Sequence, residues 1–329
     1  MLYPLKFKPL FKERIWGARR LETSFGKHLP ADKPIGESWE LSGLEGDVSI
    51  VANGNLRGNS LEELTEIYMG DLVGDGVFER FGIEFPLLIK LIDANDNLSI
   101  QVHPSDELSA VRHNAWGKTE MWYVLDHEPG ASLYLGFNQP VTREKYLEYL
   151  NAGRVEELLN KYQVQRGDTY FIPAGTIHAI GAGLLVAEIQ QTSDVTYRVY
   201  DFNRLDSQGR ARELHTELAL DAINYSQAHD YLVNKTPEAG KAIGIQSCPY
   251  FASSITRVDG SLVRDYALTD SFVVYVCTEG ELKIMCDNHS SETIACGQTV
   301  LVPAIIDSLV LEGKGTLLEC YVPSEQKNK

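Results

Sequence analysis

The chain has 329 residues with 46 acidic against 30 basic side chains, a net charge of −16 that argues against a nucleic-acid or anionic-membrane partner and obliges any anionic substrate to meet a local basic pocket. Its length exceeds one small barrel and suits two domains. No run approaches the roughly 18 apolar residues of a membrane span, lysines at 6 and 8 interrupt the apolar N-terminus, and the expected location is the cytoplasm.

In chain order, Ser60-Leu-Glu-Glu63 is a capping box that predicts a helix over 61–69. Short β-rich runs follow at 85–92, 98–102, 121–125 and 132–135. Residues 143–162 carry apolar side chains at near-helical spacing, broken around Asn151-Ala-Gly153. Two further strand-like runs occupy 169–172 and 184–189. Gly, Pro, Asn and Asp punctuate these runs at short intervals, as in an antiparallel sandwich or barrel, and the helices between them are expected to decorate it. The polar stretch 226–244, with Pro237 and Gly240, is the expected boundary between domains at 1–240 and 241–329.

Beyond that boundary lie Cys248, Cys277, Cys286, Cys296 and Cys320, odd in number and without a C-x-x-C pair, which read as reduced, mostly buried thiols. The same region repeats an earlier segment: Gly297-Gln-Thr-Val-Leu-Val-Pro303-Ala lies over Gly167-Asp-Thr-Tyr-Phe-Ile-Pro173-Ala. Continuing the alignment puts Ser308 opposite His178. Laying Val274-Tyr-Val276 over Trp122-Tyr-Val124 puts Phe272 opposite Glu120.

The segment from Gly167 to His178 has the spacing G-x5-P-x-G-x2-H, which resembles the second signature of a cupin barrel. Pro173 and Gly175 set a turn that aims His178 inward. Upstream, alternation along a strand puts Ser99, Gln101 and His103 on one face and Leu98, Ile100 and Val102 on the other. That polar face must line a hydrated barrel mouth if the apolar face packs outward. The same rule groups Lys118, Glu120 and Trp122, making Glu120 the natural acidic ligand. A set of Gln101, His103, Glu120 and His178 suits a borderline transition metal such as zinc rather than calcium or magnesium, whose sites are all oxygen. The expected fold is mainly β: two cupin-like jelly-roll barrels, the second metal-free, with a few helices.

Spacing alone leaves other residues open. Lys118 reads equally as a solvated strand residue, and Arg198, among aromatics, as a structural stacker. Glu188 and Gln190 lie two apart in an apolar strand, where a buried carboxylate needs a partner. His28, His113, His127, His215, His229 and His289 lack a ligand context and read as ordinary residues.

Ordered blocks then match a known family. They are Phe11-Lys-Glu-Arg-Ile-Trp16-Gly17, Gly36-Glu-Ser-Trp39, Pro86-Leu-Leu-Ile-Lys90, Leu98-Ser-Ile-Gln-Val-His-Pro104, Gly117-Lys-Thr-Glu120, Ile172-Pro-Ala-Gly-Thr-Ile-His178-Ala and Gln191-Thr-Ser-Asp194 leading to Tyr197-Arg198. The chain resembles the short form of type I phosphomannose isomerase over essentially its full length. The resemblance implies one Zn2+ on Gln101, His103, Glu120 and His178. It implies an active site containing Arg198, with Lys118, Glu188, Ser99 and Trp16 lining the pocket, which reverses the bland reading of Lys118 and Arg198. The implied reaction interconverts mannose 6-phosphate and fructose 6-phosphate through an enediolate. Arg198 and Lys118 would then steady developing charge, Glu188 or Lys118 would move the proton unless a zinc-bound hydroxide does, and Arg198 with Arg204 would clamp phosphate. Two departures stand out: Ala18 replaces a frequent second glycine, and Ile180 stands where longer relatives carry tyrosine. Other readings are a cupin dioxygenase, disfavoured by Gln101 in place of histidine and by cationic Lys118, and a non-catalytic sugar-binding cupin.

Overall fold

The structure, a computed structural model, describes residues 1–206, 208–226 and 230–324, so His229 and residues 227–229 of the expected boundary lie outside the described residues. Strands dominate: β1 (Leu10–Ala18), β2 (Ile35–Leu41), β3 (Leu87–Ala94), β4 (Ile100–Val102), β5 (Glu120–His127), β6 (Ser132–Phe137), β7 (Leu159–Gln163), β8 (Thr169–Ile172), β9 (His178–Ile180), β10 (Leu184–Gln191) and β11 (Tyr197–Tyr200). They continue as β12 (Lys241–Ser247), β13 (Ala252–Asp265), β14 (Val273–Cys286), β15 (Ser291–Ala295), β16 (Thr299–Val302) and β17 (Ser308–Tyr321). Helices are short: α1 (Arg20–Phe25), α2 (Leu61–Tyr68), α3 (Gly70–Val73), α4 (Asp75–Phe81), α5 (Asp106–His113), α6 (Arg143–Asn151) and α7 (Thr216–Ala222). None is long and apolar enough to cross a membrane.

Three antiparallel sheets result, ordered β1-β2-β3-β10-β5-β8, β11-β4-β9-β6-β7 and β12-β13-β17-β14-β15, with β16 on β14. Period-two alternation sorts their side chains into separate layers. Trp16, Trp122, Val186, Leu133, Leu135 and Ile180 fill the space between the first two sheets. Ile100 and Val102 turn away from it and pack with Tyr146, Leu158 and Leu220 beneath α6 and α7. The far face of the first sheet meets the third through Leu87, Ile89, Val274, Val276 and Leu318. Leu98 departs from the expected outward face: lying before β4, it joins the layer between the sheets.

The capping box is present, with Ser60 Oγ accepting from Glu63 N at 3.1 Å and Glu63 Oε2 from Ser60 N at 2.8 Å. Ser60→Ala is expected to cost about 1 kcal/mol, read as a lower urea midpoint at unchanged slope; an unmoved midpoint contradicts it. The helical spacing over 143–162 stops at its expected break: α6 ends at Asn151 and does not resume before residue 162. Gly153 at φ +67° ends it, and β7 instead completes the edge of the second sheet by pairing Lys161 with Tyr134. At the start of the chain, Trp16-Gly17 and Gly36 cross so closely that a Cβ on Gly36 would meet the Trp16 ring and one on Gly17 would meet the Gly36 backbone.

The repeat needs one correction. β8 and β16 coincide as aligned, but β5 pairs Glu120 with Ile172 whereas β14 pairs Val273 with Val302. The counterpart of Glu120 is therefore Val273, and that of Trp122 is Tyr275. A one-residue slip reverses the face, which is why Phe272 lies elsewhere, against Phe85 at 4.5 Å between ring centroids. In the corrected register Glu319, opposite Tyr275, stands where Glu188 stands opposite Trp122. Glu319 is held by Arg264 at 2.7 Å and Tyr266 at 2.9 Å.

Candidate active site

Two cross-strand rows face each other between the first two sheets. In the second sheet Arg198, Gln101 and His178 stand side by side on β11, β4 and β9. In the first, Trp39, Lys90, Glu188, Trp122 and Tyr170 stand side by side on β2, β3, β10, β5 and β8. Such direct neighbours are within side-chain reach.

His103, Glu120 and His178 converge from both sheets, their donor atoms all within 4.8 Å of one another and the residues fully buried. Backbone carbonyls fix both rings: Val195 O accepts from His103 Nδ1 at 2.9 Å, and Thr176 O from His178 Nδ1 at 2.8 Å. Both Nε2 atoms are then bare lone pairs. They face Glu120 at 3.6 Å for His103 and 3.5 Å for His178. Burial and then the Lys118 ammonium hold both imidazoles below the ordinary histidine value, His178 at about 4, so both are neutral at pH 7.

Burial raises the Glu120 carboxyl despite Lys118, whose Nζ donates to Glu120 Oε2 at 2.6 Å and to His103 Nε2 at 3.0 Å. Glu120 Oε1 remains buried without a hydrogen bond, opposite the His178 lone pair. A carboxylate oxygen facing an imidazole lone pair is repulsive unless a cation lies between them. The donor set therefore fits a metal ion. Gln101 completes it: its amide lies 3.3 Å from His178 Nε2 and 3.4 Å from Ser99 Oγ. Turned over, the amide would present its oxygen to a cation at the same point.

Beside this centre opens a cavity of about 490 Å³ whose wall includes Trp16, Lys90, Ser99, Gln101, Lys118, Glu188 and Arg198. Glu188 answers the requirement of a buried carboxylate for partners. It pairs with Lys90 at 3.0 Å, lies 3.7 Å from Lys118, and accepts from Trp122 Nε1 at 3.0 Å. Burial opposes its ionisation, but Lys118 and Lys90 prevail and hold it at about 2. Burial likewise opposes the charge on Lys90, yet Glu188 and Glu37 raise it. Arg198 has no carboxylate within ion-pair distance among the described residues; its Nη1 donates to the Glu213 carbonyl at 2.9 Å and its buried Nε has no partner.

A catalytic-domain family, phosphomannose isomerase type I, matches residues 4–136. Mannose-6-phosphate isomerase ManA of Bacillus subtilis is 35% identical over 97% of this chain and 98% of its own. The chain belongs to the type I phosphomannose isomerase family. Mannose-6-phosphate isomerase of Streptococcus mutans is 33% identical over 95% of this chain and 96% of its own. The crystal structure of the Bacillus subtilis mannose 6-phosphate isomerase superposes with a TM-score of 0.87 at 33% identity, covering 97% of this chain and 99% of that one.

Within this phosphomannose isomerase fold, Gln101, His103, Glu120, His178, Lys118, Glu188, Ser99, Trp16 and Arg198 all gather at the centre or its cavity. Arg204 is placed differently. It is absent from the cavity wall, its guanidinium bonded to the Asn97 carbonyl and, at 2.5 Å, to Asp201. Sequence reasoning missed Arg14, Glu37, Lys90, Asp194 and Arg212, all on the wall. Lys90 was findable: a lysine inside the apolar run 85–92 raises the same question of a buried charge as Glu188 does, and the two are register partners.

Proposed function

We propose that this chain interconverts mannose 6-phosphate and fructose 6-phosphate, using one Zn2+ held by Gln101, His103, Glu120 and His178. The observation that carries the reading is a buried two-histidine, one-carboxylate centre beside a cavity whose wall holds both the ionised Glu188 carboxylate and several cations, Arg198 among them without a carboxylate partner among the described residues. When bound, the ion supplies a Lewis acid against negative charge on the sugar oxygens.

The chain's own residues account for the rest. Glu188, ionised and on the cavity wall, takes the C2 proton of the open-chain sugar and returns it to C1, leaving between the two steps the charge of an enediolate, in which the O2 hydroxyl proton passes to O1. Lys118 joins the two halves of the site, touching Glu120 on one side and approaching Glu188 on the other, so its ammonium steadies that charge. Arg198 supplies a second cation from the facing sheet. Trp16 and Ser99 shape the wall that holds the sugar. We read residues 1–240 as the catalytic unit and 241–329 as its support, since no donor replaces Glu120 at Val273.

Purified protein is expected to convert mannose 6-phosphate to fructose 6-phosphate. Dialysis against a chelator should reduce turnover to background and zinc should restore it. A chelated, metal-free protein that keeps full turnover defeats the metal reading, and a zinc-loaded protein without turnover defeats the isomerase.

A further inference from the structure

We propose that Arg212, held in place by Asp201, recognises the phosphate group and sets the preference for a phosphorylated over a neutral sugar; the inference rests on the isomerase reading above. Arg204 is bound by Asp201, Asp96 and the Asn97 carbonyl, whereas Arg212 lines the cavity.

The fold puts Arg212 at the correct remove from the metal centre. Moving outward across the second sheet, the row runs from His178 to Gln101 to Arg198, and β11 is the edge strand. His215 N donates to Arg198 O at 2.7 Å on that free edge, so the segment carrying Arg212 lies one step further out. Three strand spacings separate it from β9, roughly 14 Å of backbone. A sugar with C1 and C2 at the metal end extends its C6 phosphate in this direction. Burial and then the neighbouring Arg212 guanidinium lower the Arg198 pKa, so these two cations crowd the same part of the wall.

Asp201 is built to aim Arg212. The carboxylate is 6% exposed and takes Arg212 in a two-pronged grip, Nε to Oδ2 at 2.8 Å and Nη2 to Oδ1 at 2.5 Å. Nη1 makes no hydrogen bond to the described residues and remains for a ligand. Arg204 Nη2 holds the same Oδ1 at 2.5 Å, so Asp201 is fixed from both sides. The turn that brings Arg204 back beneath Asp201 uses left-handed backbone at both Phe202 and Asn203, each at φ 54°. Neither is glycine, and strain of this kind persists where the surroundings enforce it. A phosphomonoester carries close to two negative charges at neutral pH, and planar guanidinium donors fit its oxygens in pairs.

The test uses zinc-loaded wild type, Arg212→Ala, Arg212→Lys and Asp201→Asn, with KM and kcat for mannose 6-phosphate, the inhibition constant of inorganic phosphate, and turnover of free mannose. In Arg212→Ala, KM and the phosphate inhibition constant are expected to rise together on the order of 100-fold, with a much smaller fall in kcat. The ratio of mannose 6-phosphate to mannose efficiency should fall in parallel. Arg212→Lys should lie between, and Asp201→Asn should move both constants the same way by a smaller factor. An Arg212→Ala protein whose KM and phosphate inhibition constant stay within twofold of wild type overturns the assignment. So does one that loses kcat and zinc without a change in phosphate inhibition. Should wild type not turn over mannose 6-phosphate at all, calorimetry of inorganic phosphate on wild type and Arg212→Ala still decides the Arg212 assignment, separately from the isomerase reading.

Discussion

His178→Ala is expected to lose both zinc and isomerase activity, while His178→Gln retains a measurable part of the metal. The ring occupies a fully buried position, and its Nδ1 is tied to the Thr176 carbonyl, so the only free lone pair is the one turned toward Glu120. Removing it leaves Glu120, Gln101 and His103 with one donor fewer and opens the space where the imidazole stood. An alanine offers no atom to a cation, and the Glu120 carboxyl, already raised by burial, loses the partner that would share the ion with it. The amide of glutamine can reach as Gln101 does from the adjacent strand, which is why that variant should fall between. Metal analysis decides the matter: full zinc occupancy in His178→Ala removes His178 from the ligand set. A thermal melt on the same samples separates metal loss from unfolding, because bound metal stabilises the native state by an amount that grows with the logarithm of its concentration over Kd.

Much of this centre was visible in the sequence because it is written within single strands. Alternation placed Ser99, Gln101 and His103 together, and Lys118, Glu120 and Trp122 together, without any knowledge of their partners. The turn from Gly167 to His178 was likewise local, with Gly167 and Gly175 at φ +92° and +87°. What sequence could not supply was register. Nothing in the chain says that Arg198 stands beside Gln101, or Lys90 beside Glu188, since those neighbours are set by long-range pairing. The misplacement of Phe272 has the same origin: the repeat was aligned by similarity, and a slip of one residue is invisible until strands are paired. Arg204 was chosen for its chemistry, but its guanidinium is taken up by Asp201, Asp96 and the Asn97 carbonyl away from the cavity wall, on which Arg212 stands instead. The break at Asn151-Ala-Gly153 was local and legible, but the near-helical spacing beyond it misled, because β7 owes its existence to the open edge of β6 rather than to its own propensity.

Arg198→Ala is expected to lower kcat by about 10² to 10³, the range found when one donor that stabilises developing charge is removed, with zinc content unchanged. The two halves of this expectation come from one geometry. Arg198 is the register neighbour of Gln101 but is not among the converging ligands, so its loss should leave the metal in place. Its guanidinium meets no carboxylate among the described residues, and its Nε is buried without a partner, an arrangement that costs stability and is explained if an anionic sugar completes it. Loss of the Nη1 bond to the Glu213 carbonyl should cost only about 1 kcal/mol, so the variant is expected to fold. Arg198→Lys keeps the charge but loses the paired donors and should recover part of the rate. Near-normal turnover in Arg198→Ala ends its catalytic role, and loss of zinc in that variant would place it instead among the groups that hold the metal. The contrast with His178→Ala is therefore decisive: one variant should lose metal and rate together, the other rate alone, and only a centre in which the ligand row and the charge-stabilising cation share a strand register but not a coordination shell predicts both.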